Sequence, residues 1–403
     1  MVLVLATAGG VAALDAQAVF YLMPFIATEF ALSSGQIGFI GSAVLIGWAL
    51  GGIVIARASD RRGKRKPFLI GAFGCFALLS GLSALATGFL TLLAARLLIG
   101  IAEGPVIPVK QAMVIAESSP ARRGLNMGIV QNLGAQLLGT LIAPILLVAI
   151  AQAFGWRAAF LAAGIPGLII AFLVWRVLRE PPRVESELGQ PVQQPFPWRA
   201  LLGNRNVLLC SCIALFTVAW FFILLTFLPL FLVRDLKVSP SSMSVIMSLI
   251  GLAGVTSAVI VPFLADRKGR RIAILIFSAV GALAPFGLLV AGPNLWVIGL
   301  MLVLGCQMLG VLPLIMATVP QESVAPQHRA TATSMVIAIA QIGGGAAGPI
   351  AAGWLADRSG NGAAIMLAGI LALLALILTP FVRETLPRKQ DGDAAPQPSA
   401  IAT

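Results

Sequence analysis

The chain has 403 residues, 59% of them hydrophobic and only 10% charged, and its mean hydropathy is +0.99. That composition excludes a soluble enzyme or binding domain and makes the bilayer the solvent. The net charge of +12 therefore points to basic loops that orient membrane helices and not to a nucleic-acid partner.

A membrane helix needs about 20 apolar residues, and backbone groups in lipid must bond within their own segment, which selects helices. Twelve spans are predicted, the first at 2–27. It is too long for a cleaved signal peptide and lacks a basic leader, so it reads as a helix whose missing flank suggests a trimmed amino terminus. Asp15 is the only acid in that span. A carboxyl at bilayer depth is costly when ionised and takes up a proton more readily than in water, which suits proton coupling; the alternative is a protonated packing group. Tyr21, the only tyrosine, can hydrogen-bond inside a cavity or sit at the interface.

The second span, 35–58, ends in ARASDRRGKRK, which contains Asp60, Arg61 and Gly63. After a third span at 67–88, the fourth, 90–115, carries Arg96 and Glu103 seven residues apart, on one helix face and about 10 Å apart along the axis. Such residues cost about 2.5–3.5 kcal/mol each at bilayer depth. They are expected in the bundle interior, as functional groups or as a structural ion pair, and Arg96 has the further option of snorkelling outward. Gly100 and Gly104 on the same stripe predict close approach by a neighbouring helix. The fifth span, 124–151, offers Gln131, Asn132 and Gln136 as amides for a cavity wall, and the sixth is 157–178.

Residues 179–205, rich in Pro, Gln and charge, are too polar to cross and read as a linker between two bundles. The seventh span, 206–232, contains Trp220; the eighth, 241–265, runs into PFLADRKGRR with Asp266, Arg267 and Gly269. Spans at 272–291, 294–318 with Gln307, 330–355 with Gln341 and a glycine run, and 362–382 complete the set. The glycine run, Ile342 to Gly353, permits close packing or bending. Residues 388–403 read as a disordered cytoplasmic tail. All four cysteines lie in apolar runs without metal-ligand spacing, so no disulfide, metal or other cofactor is expected.

Twenty-two of the 27 Lys and Arg, Lys110 among them, fall in segments on one side, and four (Arg157, Arg234, Lys237, Arg358) fall on the other. The imbalance predicts a multi-pass inner-membrane protein with both termini cytoplasmic. Asp60 recurs as Asp266, Pro24 as Pro229, Pro120 as Pro326 and Glu180 as Glu384, at offsets of 204–206 residues. The predicted architecture is therefore an all-α membrane protein of two pseudo-symmetric six-helix bundles, 1–178 and 206–387, suited to rocking about a site between them.

The repeated loops resemble the D-R-x-G-[RK]-[RK] signature of the major facilitator superfamily. An acid placed identically in both halves, with arginines beside it, points to a gate, whereas topology alone accounts only for the basic residues. Asp15, the R-x-x-x-G-x-x-E-G stretch from Arg96 to Gly104, and GWRAAF at Gly155 to Phe160 resemble the anion:cation symporter family of sialate, galactonate and hexuronate carriers. That resemblance implies proton coupling at Asp15 and Glu103, an anion-linked role for Arg96 and a functional monomer. One position departs from it: Ala16 stands where the family commonly has an Arg. The expected activity is proton-coupled symport of a small organic anion. The alternatives are a proton-driven efflux antiporter of drugs or lipids, which the phenylalanines around Trp220 would suit, and a non-transporting membrane sensor.

Overall fold

The computed structural model describes residues 2–62, 65–118, 123–130, 134–178, 180, 201 and 203–386. Among them twelve helices are long and apolar enough to cross a membrane. They are α1 (Val2–Glu29), α2 (Ser34–Arg62), α3 (Lys66–Ala84), α4 (Phe89–Gln111), α5 (Ala135–Phe154), α6 (Trp156–Val177), α7 (Arg205–Asp235), α8 (Pro240–Lys268), α9 (Arg270–Val290), α10 (Leu295–Glu322), α11 (Arg329–Ser359) and α12 (Asn361–Phe381). Each predicted span overlaps one of these helices, with α1 reaching two residues further to take in Glu29 and α5 beginning at Ala135, later than the predicted start at 124. Most of the linker and all of the tail lie outside the described residues.

Small residues decide which helices touch. A Cβ on Gly51 would fall 2.0 Å from the Ile101 carbonyl oxygen and one on Gly100 would fall 2.2 Å from that of Val44, so α2 and α4 pack backbone to backbone. The stripe of Gly100 and Gly104 thus has Gly47, Gly51 and Gly52 opposite it. In the second half α8 packs on α10 in the same way, and α9 on α12 as α3 on α6.

The repeat extends to the backbone. α5 loosens into a π-helix at Ala135–Ile142 and α11 at Ala340–Ala346, starting 205 residues apart (340 − 135). π-turns insert an extra residue and recur at functional sites. Gln136 and Gln341 are the matching side chains within them. The glycine run of α11 also approaches α7, where a Cβ on Gly344 would meet the Leu215 carbonyl oxygen at 2.3 Å.

The halves meet where α2 faces α11, α5 faces α8, and α1 faces α7. Among the described residues the hydrogen bonds joining them are Gly35 N to Asp357 Oδ2 (2.9 Å), Ser33 Oγ to the same oxygen (3.4 Å), Ser42 Oγ to Ala346 O (2.6 Å) and Ser241 Oγ to Gln152 Oε1 (3.0 Å). All lie in the parts of the helices away from the basic loops.

Candidate functional site

The first half builds its deepest polar cluster from five helices. Asp15 at the middle of α1 is fully buried, as is Arg96 on α4, and Glu103, two turns further along α4, is 3% exposed. Seven residues bring Arg96 and Glu103 to the same face. Arg96 is enclosed by protein, so the snorkelling option does not hold. Its Nη1 donates to the Asp15 carbonyl oxygen at 3.3 Å, and its guanidinium lies 4.4 Å above the Phe160 ring of α6. It donates to neither carboxylate, although Asp15 and Glu103 both act on it electrostatically. Arg96 Nε and Nη2, Asp15 Oδ2 and Glu103 Oε1 have no partner among the described residues.

Each carboxylate is held on its other oxygen. Glu103 Oε2 accepts from Trp48 Nε1 of α2 at 3.0 Å. Asp15 Oδ1 is bonded to Ser80 Oγ of α3, and that same hydroxyl lies 2.9 Å from the Phe160 carbonyl oxygen. A serine has one hydrogen to give. With Asp15 ionised, Ser80 donates to it; with Asp15 protonated, the acid can donate to Ser80 while Ser80 donates to Phe160. The pair can therefore report proton occupancy of Asp15 to the backbone of α6. Ser80, Trp48 and Phe160 were not legible as site residues, because single Ser, Trp and Phe are ordinary in membrane helices.

Tyr21 is fully buried, with its hydroxyl 2.6 Å from Gln17 Oε1 and 2.9 Å from Gly139 O. Gln17 Oε1 also accepts from Thr140 Oγ1 at 3.2 Å. Tyr21 thus ties α1 to the π-turn of α5 and does not sit at the membrane interface. Gln136, in that π-turn, packs across the interface onto Gly254 of α8. Gln341 lies beside Gly345, at a point where Leu45 of α2 and Val218 of α7 converge, and its Oε1 has no partner among the described residues. Gln307 donates to Thr256 Oγ1 (2.9 Å) and to Val303 O, so it joins α10 to α8. Trp220 is fully buried, and its indole N–H has no partner among the described residues. Gln131 and Asn132 lie outside the described residues.

Of the residues expected to gate, Gly63 and the side chains of Asp60 and Arg61 lie outside the described residues. At the matching loop Asp266 pairs with Arg270, which also reaches Glu322 at 3.3 Å. Arg267, also named for the gate, lies over the Phe263 ring at 4.1 Å, and the turn between Asp266 and Arg270 passes through Gly269 at φ +110°. The repeated glutamates cap the next helix. Glu384 accepts from Arg270 N and Arg271 N at 2.8 and 3.0 Å, and Glu180 accepts from Arg65 N and Lys66 N. Burial acts to raise the Glu384 carboxyl, but backbone N–H donors from Leu386, Arg270, Arg271 and Thr385 outweigh it and hold it below the usual range.

The joint at the opposite end was missed. Leu355 to Gly360 repeats Leu264 to Gly269 with Ser359 for Lys268. Both glycines have positive φ, and Arg358 lies over Trp354 as Arg267 lies over Phe263. That second LADR was the available signal. Lys110 also needs correction: it belongs to α4, is 3% exposed, and is a fourth deep ionisable side chain beside Asp15, Arg96 and Glu103. Among the described residues no cluster of His, Cys, Asp and Glu could hold a metal ion.

The family model of the Major Facilitator Superfamily matches residues 5–347. The hexuronate transporter of Bacillus subtilis (strain 168) is 28% identical over 411 residues, covering 95% of this chain and 94% of that protein. The 3-(3-hydroxy-phenyl)propionate transporter of Escherichia coli (strain K12) is 29% identical over 387 residues, covering 92% and 90%. A bacterial homolog of the human lysosomal transporter Spinster, solved in an inward-facing and occupied conformation, shares the fold at a TM-score of 0.78. It is 19% identical and covers 94% of this chain and 95% of its own. Twelve helices in two repeated halves, a buried charge cluster and the family match agree: the chain is a multi-pass membrane transporter and belongs to the major facilitator superfamily.

Proposed function

We propose that this chain moves a small organic carboxylate across the inner membrane together with protons, by alternating access of residues 1–178 and 206–387. The observation that carries this reading is the buried group of Asp15, Arg96, Glu103 and Ser80, where one guanidinium faces two carboxylates that it does not directly bond. With both acids ionised, the positive charge is already answered. Protonating them frees it for a substrate anion, and proton and anion binding then favour each other by linkage. Hexuronate and 3-(3-hydroxy-phenyl)propionate, the substrates named for two full-length relatives, are both carboxylates.

The four bonds between halves lie away from the basic loops, which suits a state closed on the outside and accessible from the cytoplasm, where both termini are assigned. The loops at Asp60 and Asp266 then serve as the gate on the cytoplasmic side.

The test is uptake into liposomes under an imposed pH gradient, with glucuronate, 3-(3-hydroxyphenyl)propionate and lipophilic cations supplied in parallel. Accumulation of an acid, abolished by a protonophore and lost in Asp15→Asn and Glu103→Gln, is the expected result. Full concentrative uptake by both variants refutes the proton assignment, and transport of cations alone would establish the efflux class instead.

A further inference from the structure

We propose that the Lys110 ammonium is a substrate-binding group that receives the carboxylate of the transported anion on the cytoplasmic side of the Asp15, Arg96 and Glu103 cluster; the assignment rests on the organic-anion reading.

Lys110 follows Glu103 by seven residues, as Glu103 follows Arg96. Allowing for the break at Gly104 and Pro105, the three stand in line along one side of α4 and its extension, cation, anion, cation, at steps of about 10 Å. The side chain is 3% exposed. It reaches α1, where a Cβ added at Gly9 would lie 2.4 Å from Nζ and 3.2 Å from the Val130 carbonyl oxygen. The space that Gly9 leaves empty is therefore filled by the end of the lysine, between α1 and the backbone at Val130.

Among the described residues no hydrogen bond or ion pair reaches that ammonium. A basic residue that only orients the chain needs water or headgroups around it, and a position that only packs is better filled by an apolar side chain, since a buried cation without a counter-charge destabilises the fold. A cation kept under those terms calls for a counter-charge that comes and goes. Arg96 is poorly placed to supply the whole anion site, with one face covered by Phe160 and its charge shared between two acids. Lys110 has no such claim on it, and it lies toward the end where no hydrogen bond joins the halves among the described residues.

The experiment measures binding of two acid and amide pairs to the purified full-length protein: glucuronate with glucuronamide, and 3-(3-hydroxyphenyl)propionate with its primary amide. An ion pair with a buried ammonium should favour the acid by about 10- to 100-fold in wild type. Lys110→Met and Lys110→Gln should bind acid and amide alike, and Lys110→Arg should keep most of the preference. Thermal unfolding without ligand supplies a second readout. Removing an unpaired buried charge should leave the melting temperature of Lys110→Met equal or higher, and a fall would mean that the lysine is paired within the protein, overturning the assignment. If wild type prefers an acid and Lys110→Met prefers it equally, the lysine assignment fails alone. If wild type separates neither acid from its amide, the anion reading fails and takes the assignment with it.

Discussion

Gly38 is the position at which one carbon atom should open the joint between the halves. A Cβ there would sit 2.3 Å from the Pro349 carbonyl oxygen and 3.0 Å from the carbon that bears it. An ordinary carbon to oxygen contact is about 3.3 Å, and both offending atoms are backbone, so α2 and α11 must part by about 1 Å. Overpacking of this kind costs about 1–3 kcal/mol, which moves a two-state equilibrium by roughly 5- to 150-fold. The reporter is Ser42→Cys in a background lacking Cys75, Cys210, Cys212 and Cys306. Ser42 is fully buried against Ala346 and becomes reachable from outside only when the joint separates. Gly38→Ala should speed labelling by an impermeant maleimide by about 5-fold or more. Gly74→Ala, which meets nothing within 4 Å, should change nothing. Equal labelling of Gly38→Ala and the reporter alone would refute the claim that this contact holds the outer side shut.

Replacing Ser80 by Ala removes the only side chain hydrogen-bonded to Asp15 among the described residues; proton-driven accumulation should fall about tenfold while substrate exchange without a gradient persists, as measured in liposomes. Arg96→Lys keeps the charge but loses the planar stack on Phe160 and the bond to the Asp15 carbonyl; concentrative uptake should fall about tenfold or more, and unchanged uptake would show that charge alone suffices. Glu384 is held below the usual carboxylate range, so its contribution to stability is whole above about pH 4.5 and is lost as the pH falls through its lowered value. The gap in melting temperature between wild type and Glu384→Gln should therefore be constant from pH 8 to about pH 5 and shrink below. A gap that widens on acidification would reverse that sign and refute the capping role.

The deep acids and Arg96 were legible because a charge inside an apolar run has few reasons to be there. Their partners were not. Ser80 matters because α3 brings it to Asp15, and Trp48 because the facing glycines of α2 and α4 bring the indole to Glu103. Lys110 misled in the opposite direction: close to a predicted helix end, it counted as a loop cation, yet it sits within the helical segment Val106–Glu117 and the side chain lies against Gly9. The loop offered several arginines for Asp266, and the structure pairs it with Arg270, four residues on across the turn at Gly269.

Hydropathy and the 204–206 residue repeat alone determined the class, the number of helices and their division into two halves, because a membrane span is a local property of about 20 residues and a duplication is read by alignment of the chain with itself. Only the tertiary structure decided which end of the halves is joined, that Arg96 bonds the backbone of Asp15 and not its carboxylate, and that Lys110 is buried. Those depend on contacts such as Gly38 with Pro349 and Gly9 with Lys110, where residues remote in the chain meet at distances that hydropathy and local spacing do not specify.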